Sequence, residues 1–299
     1  MPDALIITVN YKGADATVRF LESAAQLECF AMAHVLVVEN GSQDGSAERI
    51  RSAAEPFVNV EVLESPVNRG YFGAANWALQ QYSGRANMPD WVVICNNDII
   101  FDDRHLLAKL FQRYPERAGV IAPAIIAQQT DADCNPFLRE RPSELQLLRY
   151  RFWSANYYLM WFKQWLSPYV RKLRFHLSWK RLAQQSVQRT TVYAPHGAFL
   201  IFSRKYFEAG GYIDDGFFLY AEEFSVAEVC RHLALPVVHD PELRVLHDAH
   251  LVTGRMCNRV SFVQGRDGLN YVLRKYFSAR NAGASQADPG VESSSRSST

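Results

Sequence analysis

Four times within its first hundred residues this chain sets a short apolar run beside an amphipathic stretch, and that alternation limits the folds open to it more than any other feature. The apolar runs are 4–9, 34–39, 58–63 and 91–95. A continuous run such as WVVIC fits a strand covered on both faces, as in a parallel sheet flanked by helices. Between the runs, Asp15 stands where it caps a helix that buries Val18, Leu21 and Ala25. The turn formers NGSQDGS let Ser46 or Asp44 start a second helix from Ala47. NRGYFGAANWALQQY puts two glycines in the first turn of a third, with Ala74 and Ala75 where it must approach the sheet. Strand and helix alternating in this way predict parallel, right-handed βαβ units.

The polar residues that end these runs fall at the carboxyl ends of the predicted strands. Asn10, Glu39, Asn68 with Arg69, and Asp98 then share one rim, the edge at which open α/β sheets bind ligands. In WVVICNND the lone carboxylate Asp98 follows two amides, Asn96 and Asn97. That set suits a hard divalent cation that also grips phosphate, and equally a polar strand-end turn. Neither a P-loop nor a GxGxxG fingerprint is present, which counts against an ATPase or a dehydrogenase.

Beyond a predicted helix at 104–114 and a strand at 120–126 interrupted by Pro123, the alternation breaks. Residues 137–190 hold 11 Lys or Arg against only Glu140 and Glu144, although the chain as a whole nets +1. The same stretch is aromatic, and Trp153, Tyr157, Trp161 and Trp165 recur every fourth residue, one stripe of a helix that Pro168 ends. Basic residues then alternate with Val170, Leu173 and Leu177 as far as Arg181. Such a stretch, 150–181, suits a membrane surface with anionic lipid, or a helical flap on the domain's own core or on a sister subunit in a homodimer. Nucleic acid is disfavoured, because no RNP-like strand accompanies the aromatics.

Further on, 198–202 is a predicted strand, 205–209 a short helix and Gly210-Gly211 a turn. Glu222 and Glu223 open a helix that runs to about Leu233, where their charge complements the helix dipole. Residues 237–239 and 244–246 are two short strands, the second ending at His247. From 279 to 299 the composition is that of a disordered tail. The expected organisation is one domain over 1–278, with 137–190 inserted in it, a size a single α/β core supports at 48% hydrophobic residues. The five cysteines are scattered with no CxxC pair, which argues against disulfides or a zinc site and for a reducing, cytoplasmic setting. No secretory signal and no run of 18 apolar residues is seen.

Seven segments, ITVNYKG, VVENGSQDGS, NRGYFGAANWAL, ICNNDIIF, HGAFLIFSRKYFEAGGYID, FFLYAEEFSVAE and PELRVLH, occur in one order across about residues 4–250. In them the chain resembles the inverting family-2 glycosyltransferases of the GT-A fold, within the rhamnosyltransferase-like branch. The resemblance implies an α/β fold of GT-A type, with a Rossmann-like, mostly parallel central sheet flanked by helices and the aromatic, basic segment as an insertion. It implies that Asn10 and Glu39 surround the nucleotide base, Glu39 accepting the imide N–H of uracil or thymine in place of the family's usual, shorter Asp. Asn40 and Gly70 join the nucleotide-sugar site, and Arg69 faces the diphosphate, where its fork can grip two oxygens. Asn97 and Asp98 match the last part of the family's Asp-X-Asp signature, with Asn96 at its first position.

The implied metal is Mg²⁺ or Mn²⁺, held by the donor diphosphate, Asp98 and His247, with His250 the neighbouring candidate. Glu222 and Glu223 match a Glu-Asp pair whose second member is the general base, so the resemblance makes Glu223 the base and Glu222 its orienting partner. Ser225 stands where another acid is common. His196 and Gly197 border the acceptor pocket. The expected activity is hexosyl transfer from a dTDP- or UDP-sugar, rhamnose or a hexose, to a glycan or lipid-linked glycan of a surface polysaccharide. Two rivals are weighed with it. A sugar nucleotidyltransferase would need a Gly-rich loop with a cation for triphosphate, which ITVNYKG lacks. A non-catalytic nucleotide-sugar-binding or membrane-docking relative is suggested by Asn96, Glu39 and Ser225.

Overall fold

A computed structural model describes residues 3–84, 86–164, 188–248 and 258–278. Its amino-terminal half alternates β1 (Ala4–Asn10), α1 (Ala14–Ala24), β2 (Ala33–Glu39), α2 (Ser46–Ala54), β3 (Val60–Glu64), α3 (Tyr71–Ser83) and β4 (Trp91–Asn96). The four strands are parallel in the order β3-β2-β1-β4, with Ile6 opposite both Val35 and Val93. Side chains alternate across a strand, so each of these strands feeds two cores. Ile6, Trp91 and Val93 pack with Phe20 and Leu21 of α1 and Ile50 of α2. Leu5, Ile7, Val92 and Ile94 pack on the other face with Phe72, Ala75 and Ala78 of α3. Truncating any of these large apolar side chains to Ala would cost about 2–5 kcal/mol.

The sheet continues through β9 (Phe199–Ser203), which runs antiparallel to β4, then β6 (Val120–Ala127), antiparallel to β9, and β10 (Val237–His247), parallel to β6. Short β5 (Ile99–Ile100) and β8 (Thr190–Val192) lie against β10, and β7 (Ala132–Asp133) against β6, all antiparallel. The result is a mostly parallel central sheet flanked by helices, as the resemblance implies. Reversal of β9 has a functional consequence: it begins at the edge where β4 ends. Because β6 and β10 run in the direction of β4, His247 at the end of β10 reaches that same edge.

Several local expectations are corrected. The helix α1 buries Ala16, Thr17, Phe20, Leu21 and Ala24, while Val18 and Ala25 are only half-buried. Asp15 is not its cap; it lies inside the first turn, ion-paired with Arg49. The helix expected at 104–114 shrinks to α4 (Leu106–Leu110). The two short strands near 237–246 are one strand whose register shifts between Asp240 and Arg244.

The aromatic stripe does not lie on one helix. α5 (Glu144–Ser154), opened by a Ser143–Gln146 capping box, stops at Ala155, and α6 restarts over 157–164 after the Asn156 side chain accepts the Tyr158 N–H at 2.8 Å. Trp153 and Tyr157 therefore sit on different helices, because an Asn side chain that bonds the backbone two residues on interrupts a helix and caps the next. Trp165, Pro168, the basic run 171–181, His250, Cys257 and the tail 279–299 lie outside the described residues. So does the centre of the 137–190 insertion.

Two helices complete the site's surroundings, α7 (Arg204–Glu208) and α8 (Glu222–His232). A last helix, α9 (Arg259–Tyr276), has no counterpart in the sequence reading, and Gly265 and Gly268 explain why. Glycine inside a helix costs about 1 kcal/mol and weakens the signal, but here Gly268 lets α9 press against the chain just before α8. A Cβ at Gly268 would lie 2.7 Å from the Leu219 carbonyl oxygen. No helix among the described residues is long and apolar enough to cross a membrane.

Candidate active site

The rim foreseen from the strand ends exists, and its loops are tied together by amides. Asn97 Nδ2 reaches Asn10 Oδ1 (3.2 Å), the Gly13 carbonyl (3.1 Å) and Thr17 Oγ1 (3.0 Å), which joins the end of β4 to the β1–α1 turn. Asn10 is fully buried, and its Oδ1 also accepts from the Gly13 N–H. Glu39 is 5% exposed, with its carboxylate turned onto the Gly41 N–H (3.2 Å), the Ser42 N–H (3.1 Å) and Asn10 Nδ2 (3.4 Å). Asn40 performs the same service one loop away, donating to Asn68 Oδ1 and the Gly70 carbonyl and accepting from the Arg69 N–H. Hence Asn10, Glu39, Asn40 and Asn97 shape the walls of the rim through their own hydrogen bonds. Between the β1–α1 and β2–α2 loops opens a cleft of about 510 Å³, reaching from Lys12 and Ser46 to Asn97 and Asp98.

Arg69 is exposed in the β3–α3 loop, its Nε donating to Ser65 Oγ and its guanidinium lying over the Trp77 ring at 5.1 Å. The stacking leaves its position well defined for an anionic group. Gly70 is required where it stands. Its φ of +73° is unfavourable for other residues, and a Cβ there would lie 2.2 Å from the Phe218 carbonyl oxygen.

Asp98 and His247 meet, as the resemblance implies. Asp98 Oδ1 lies 3.2 Å from His247 Nε2, with both side chains at least nine-tenths buried. The approach is not aligned as a hydrogen bond, so a buried carboxylate oxygen has no hydrogen-bond donor among the described residues. A buried oxygen without a donor is costly unless a cation or ligand meets it. Paired with an imidazole nitrogen, it fits one corner of a divalent-ion site. No cluster of three or more metal-binding side chains occurs among the described residues, so two side chains would leave most positions to diphosphate and water, a familiar arrangement for Mg²⁺.

Across the edge, the reversed strand β9 places His196 and Gly197 beside the acid pair at the start of α8. The Gly197 N–H donates to Glu223 Oε1 at 3.2 Å. Glu222 is buried, its Oε2 accepting from the Ala221 N–H at 2.8 Å, whereas Glu223 keeps part of its surface open. Burial first, and the neighbouring Glu223 second, push the Glu222 carboxyl up to about 8. Burial also raises the Glu223 carboxyl above the ordinary Glu range. Of the two carboxyls, Glu222 is the buried one and Glu223 the one with part of its surface open.

His196 stays neutral, its value lowered to about 4 by burial and by the charge of nearby His247, whose ring centre is 6.2 Å away. Its Nδ1 accepts from the Ala198 N–H at 3.1 Å, which assigns the ring proton to Nε2.

One residue at this centre is absent from the sequence reading. Tyr71, the first residue of α3, donates its hydroxyl to the Gly197 carbonyl at 3.1 Å. Burial raises its phenol well above the usual range, with added contributions from Cys95, Glu222, Asp98 and Glu223. Its hydroxyl thus holds the carbonyl of the glycine whose N–H holds Glu223. In the sequence it is one more aromatic at a helix start, with no local signal of its role.

A second set holds α8 in place: buried Glu228 takes Nε of Arg141 at 2.7 Å, Nε of Arg231 at 2.9 Å and the Tyr193 hydroxyl at 2.7 Å. The arrangement as a whole can hold a phosphorylated ligand in one cleft and present a basic carboxylate from the opposite side.

Comparison with known proteins agrees with this architecture. The chain is 28% identical over 268 residues to an N-acetylglucosaminyl-diphospho-decaprenol L-rhamnosyltransferase of Mycobacterium tuberculosis, covering 85% of this chain and 79% of that one. In fold it is similar to a mannosyltransferase from Pyrobaculum calidifontis solved with GDP-Man and Mn²⁺, at a TM-score of 0.52 and 14% identity over 97% of this chain and 79% of that one. It is also similar to GalNAc-T7 solved with UDP, GalNAc and Mn²⁺, at a TM-score of 0.59 and 13% identity over 92% of this chain and 48% of that one. The pattern of "Glycosyl transferase family 2" matches residues 4–211, well over half of the 299, and the chain belongs to that family, with a rhamnosyltransferase-like sequence and a GT-A fold.

Proposed function

We propose that this protein transfers a hexose or deoxyhexose such as rhamnose, with inversion, from a UDP- or dTDP-sugar to a lipid-linked glycan acceptor. The observation that carries the reading is Glu223: a partly open carboxylate of raised basicity, held by the Gly197 N–H, at the same sheet edge as Asp98 with its unmatched buried oxygen. A general base is most effective when its pKa is tuned toward the working pH, and burial supplies that here.

In the reaction, Glu223 takes the proton of the acceptor hydroxyl as that oxygen forms its bond to the anomeric carbon. The anomeric bond to the nucleoside diphosphate breaks on the opposite face, and the diphosphate leaves with the electron pair. Protonated Glu222 keeps the pair at one negative charge, so that Glu223 remains the base. Arg69 would contact the departing diphosphate, and the cleft beside Lys12 and Ser46 would take the nucleoside. Asp98 and His247 would hold a divalent cation, Mg²⁺ or Mn²⁺, and such a cation when bound neutralises the charge of a leaving diphosphate. The lipid-linked acceptor is supported by the similarity to the mycobacterial enzyme, whose name specifies an acceptor on a decaprenyl diphosphate.

The test incubates the purified protein with UDP- and dTDP-sugars and a prenyl-diphosphate-linked N-acetylglucosamine, with and without Mn²⁺ or Mg²⁺, and follows released nucleoside diphosphate. Release should require one donor class, acceptor and metal, and Glu223→Gln should lose about 10²–10⁴-fold in kcat. Equal release by the variant would remove Glu223 as the base, and no release with any donor would remove the transferase reading.

A further inference from the structure

Three helices of this protein turn apolar stripes outward rather than inward. In α5, Leu145, Leu148 and Phe152 follow the i, i+3, i+7 spacing of one face, yet Leu145 is 68% and Phe152 57% exposed, and Ser154 alone among the residues of α5 is buried. In α6, Trp161 and Phe162 are exposed, and at the start of α9 so are Val260 (66%) and Val263. These segments touch one another. Lys163 lies over the Trp153 ring at 5.8 Å, the Tyr157 and Phe262 rings meet at 5.6 Å, and Arg259 donates to the Tyr158 hydroxyl at 3.1 Å. They therefore form one continuous surface, assembled from residues more than a hundred positions apart.

The charge on this surface is mainly positive. Residues 144–154, 157–164 and 258–267 carry Arg149, Arg151, Lys163, Arg259 and Arg266 against the acids Glu144 and Asp267, of which Asp267 is ion-paired with Arg266. Exposed Trp and Phe ringed by cations suit a bilayer interface, where aromatic rings sit at headgroup depth and each Lys or Arg near an anionic surface adds about 1 kcal/mol. Exposed apolar groups that gather on one surface mark interaction sites more than isolated ones do.

Its position is also telling, because the inner sides of the same helices abut the neighbours of the acid pair. Tyr150 packs on Phe224 at 6.2 Å, and Gly265 and Gly268 lie against Tyr220 and the Leu219 carbonyl.

We infer that α5, α6 and the start of α9 form a docking face for an anionic lipid bilayer, which brings the acceptor side of Glu223 to the membrane surface. This sharpens the expectation for 150–181, since the face begins before residue 150 and includes α9. Only the placing of the acceptor rests on the proposed function; lipid binding itself needs neither donor nor catalysis.

The test is co-sedimentation of the full chain with vesicles of phosphatidylcholine, with or without phosphatidylglycerol. The protein should pellet with the anionic vesicles, be released by salt, and stay in solution with pure phosphatidylcholine. The pairs Arg149→Glu with Arg151→Glu, Trp161→Ser with Phe162→Ser, and Val260→Asp with Val263→Asp should each weaken binding about tenfold or more. Each should keep its melting temperature and its turnover of a water-soluble acceptor analogue, so a loss of binding is separable from misfolding and from failure of the transferase reading. Failure to pellet with anionic vesicles, or wild-type binding by all three variants, would overturn the inference. So would a dimer that these pairs dissociate while vesicle binding is absent, which would assign the face to a second copy of the chain.

Discussion

The Gly197 N–H holds Glu223 Oε1 at 3.2 Å, and the same glycine leaves little room for a side chain: a Cβ there would lie 3.0 Å from that oxygen and 3.4 Å from the Glu222 Cβ. The backbone of Gly197 is not in the left-handed region, so Gly197→Ala strains the carboxylate rather than the chain. We expect stability within about 1 kcal/mol of wild type and kcat lower by about tenfold, because small displacements of a catalytic group are costly. Paired melting and steady-state measurements check both halves.

Tyr71→Phe removes the hydroxyl that donates to the Gly197 carbonyl. The loss of one hydrogen bond should cost about 0.5–1.5 kcal/mol of stability. If the hydroxyl positions Gly197 and through it Glu223, kcat should fall with KM for the donor unchanged, and the acid limb of the pH–rate profile should move. A purely structural tyrosine would leave that limb in place.

Asp98→Asn tests the buried oxygen beside His247. The wild-type protein should melt several degrees higher with Mn²⁺ and a nucleoside diphosphate together, since saturating ligand at about 100 times its Kd adds about 2.7 kcal/mol. In the variant that increment should vanish while the melting temperature without ligands stays near wild type. An undiminished shift would take Asp98 out of the metal site.

The acid pair sets a pH dependence whose sign follows from burial. The Glu222 carboxyl titrates at about 8 in the folded protein against 4.5 ordinarily, so between those values the folded chain keeps a proton that the unfolded chain has released. Stability from the neutral carboxyl is full below the lower value and is lost as pH rises through the upper one. Glu222→Gln, which stays neutral and can still accept from the Ala221 N–H, should melt above wild type at about pH 9 and match it near about pH 5. The raised Glu223 carboxyl places the acid limb of kcat/KM above the ordinary Glu range.

Gly70→Ala should fail at the backbone. With φ +73° and a Cβ 2.2 Å from the Phe218 carbonyl oxygen, the substitution combines strain with a clash, and about 2–4 kcal/mol of stability should be lost. Chemical denaturation measures it directly.

Much of this protein is legible locally. The strands β1 to β4 announce themselves because a strand buried on both faces is a continuous apolar run, and their polar ends mark the rim where Asn10, Glu39 and Asp98 lie. The motif order likewise places Glu222 and Glu223 at a helix start, where the dipole favours acids. Other features are hidden because they are compromises. Asn156 breaks the aromatic stripe through one side-chain bond, and α9 carries two glycines whose value appears only against Leu219 and Tyr220.

By itself, then, the sequence determined the alternating half-sheet, the residue types at its edge and the family, all of which depend on period and spacing along the chain. Only the tertiary structure decided which edge residues are ties and which stay open. It turned Asn97 and Glu39 inward onto backbone groups, left Asp98 with an unmatched oxygen beside His247, and set the Tyr71 hydroxyl on the carbonyl of the glycine that holds Glu223. The reason is physical: a side chain's hydrogen-bond partners and its burial come from segments remote in the chain, so neither basicity nor an unmet oxygen can be read where the residue is written.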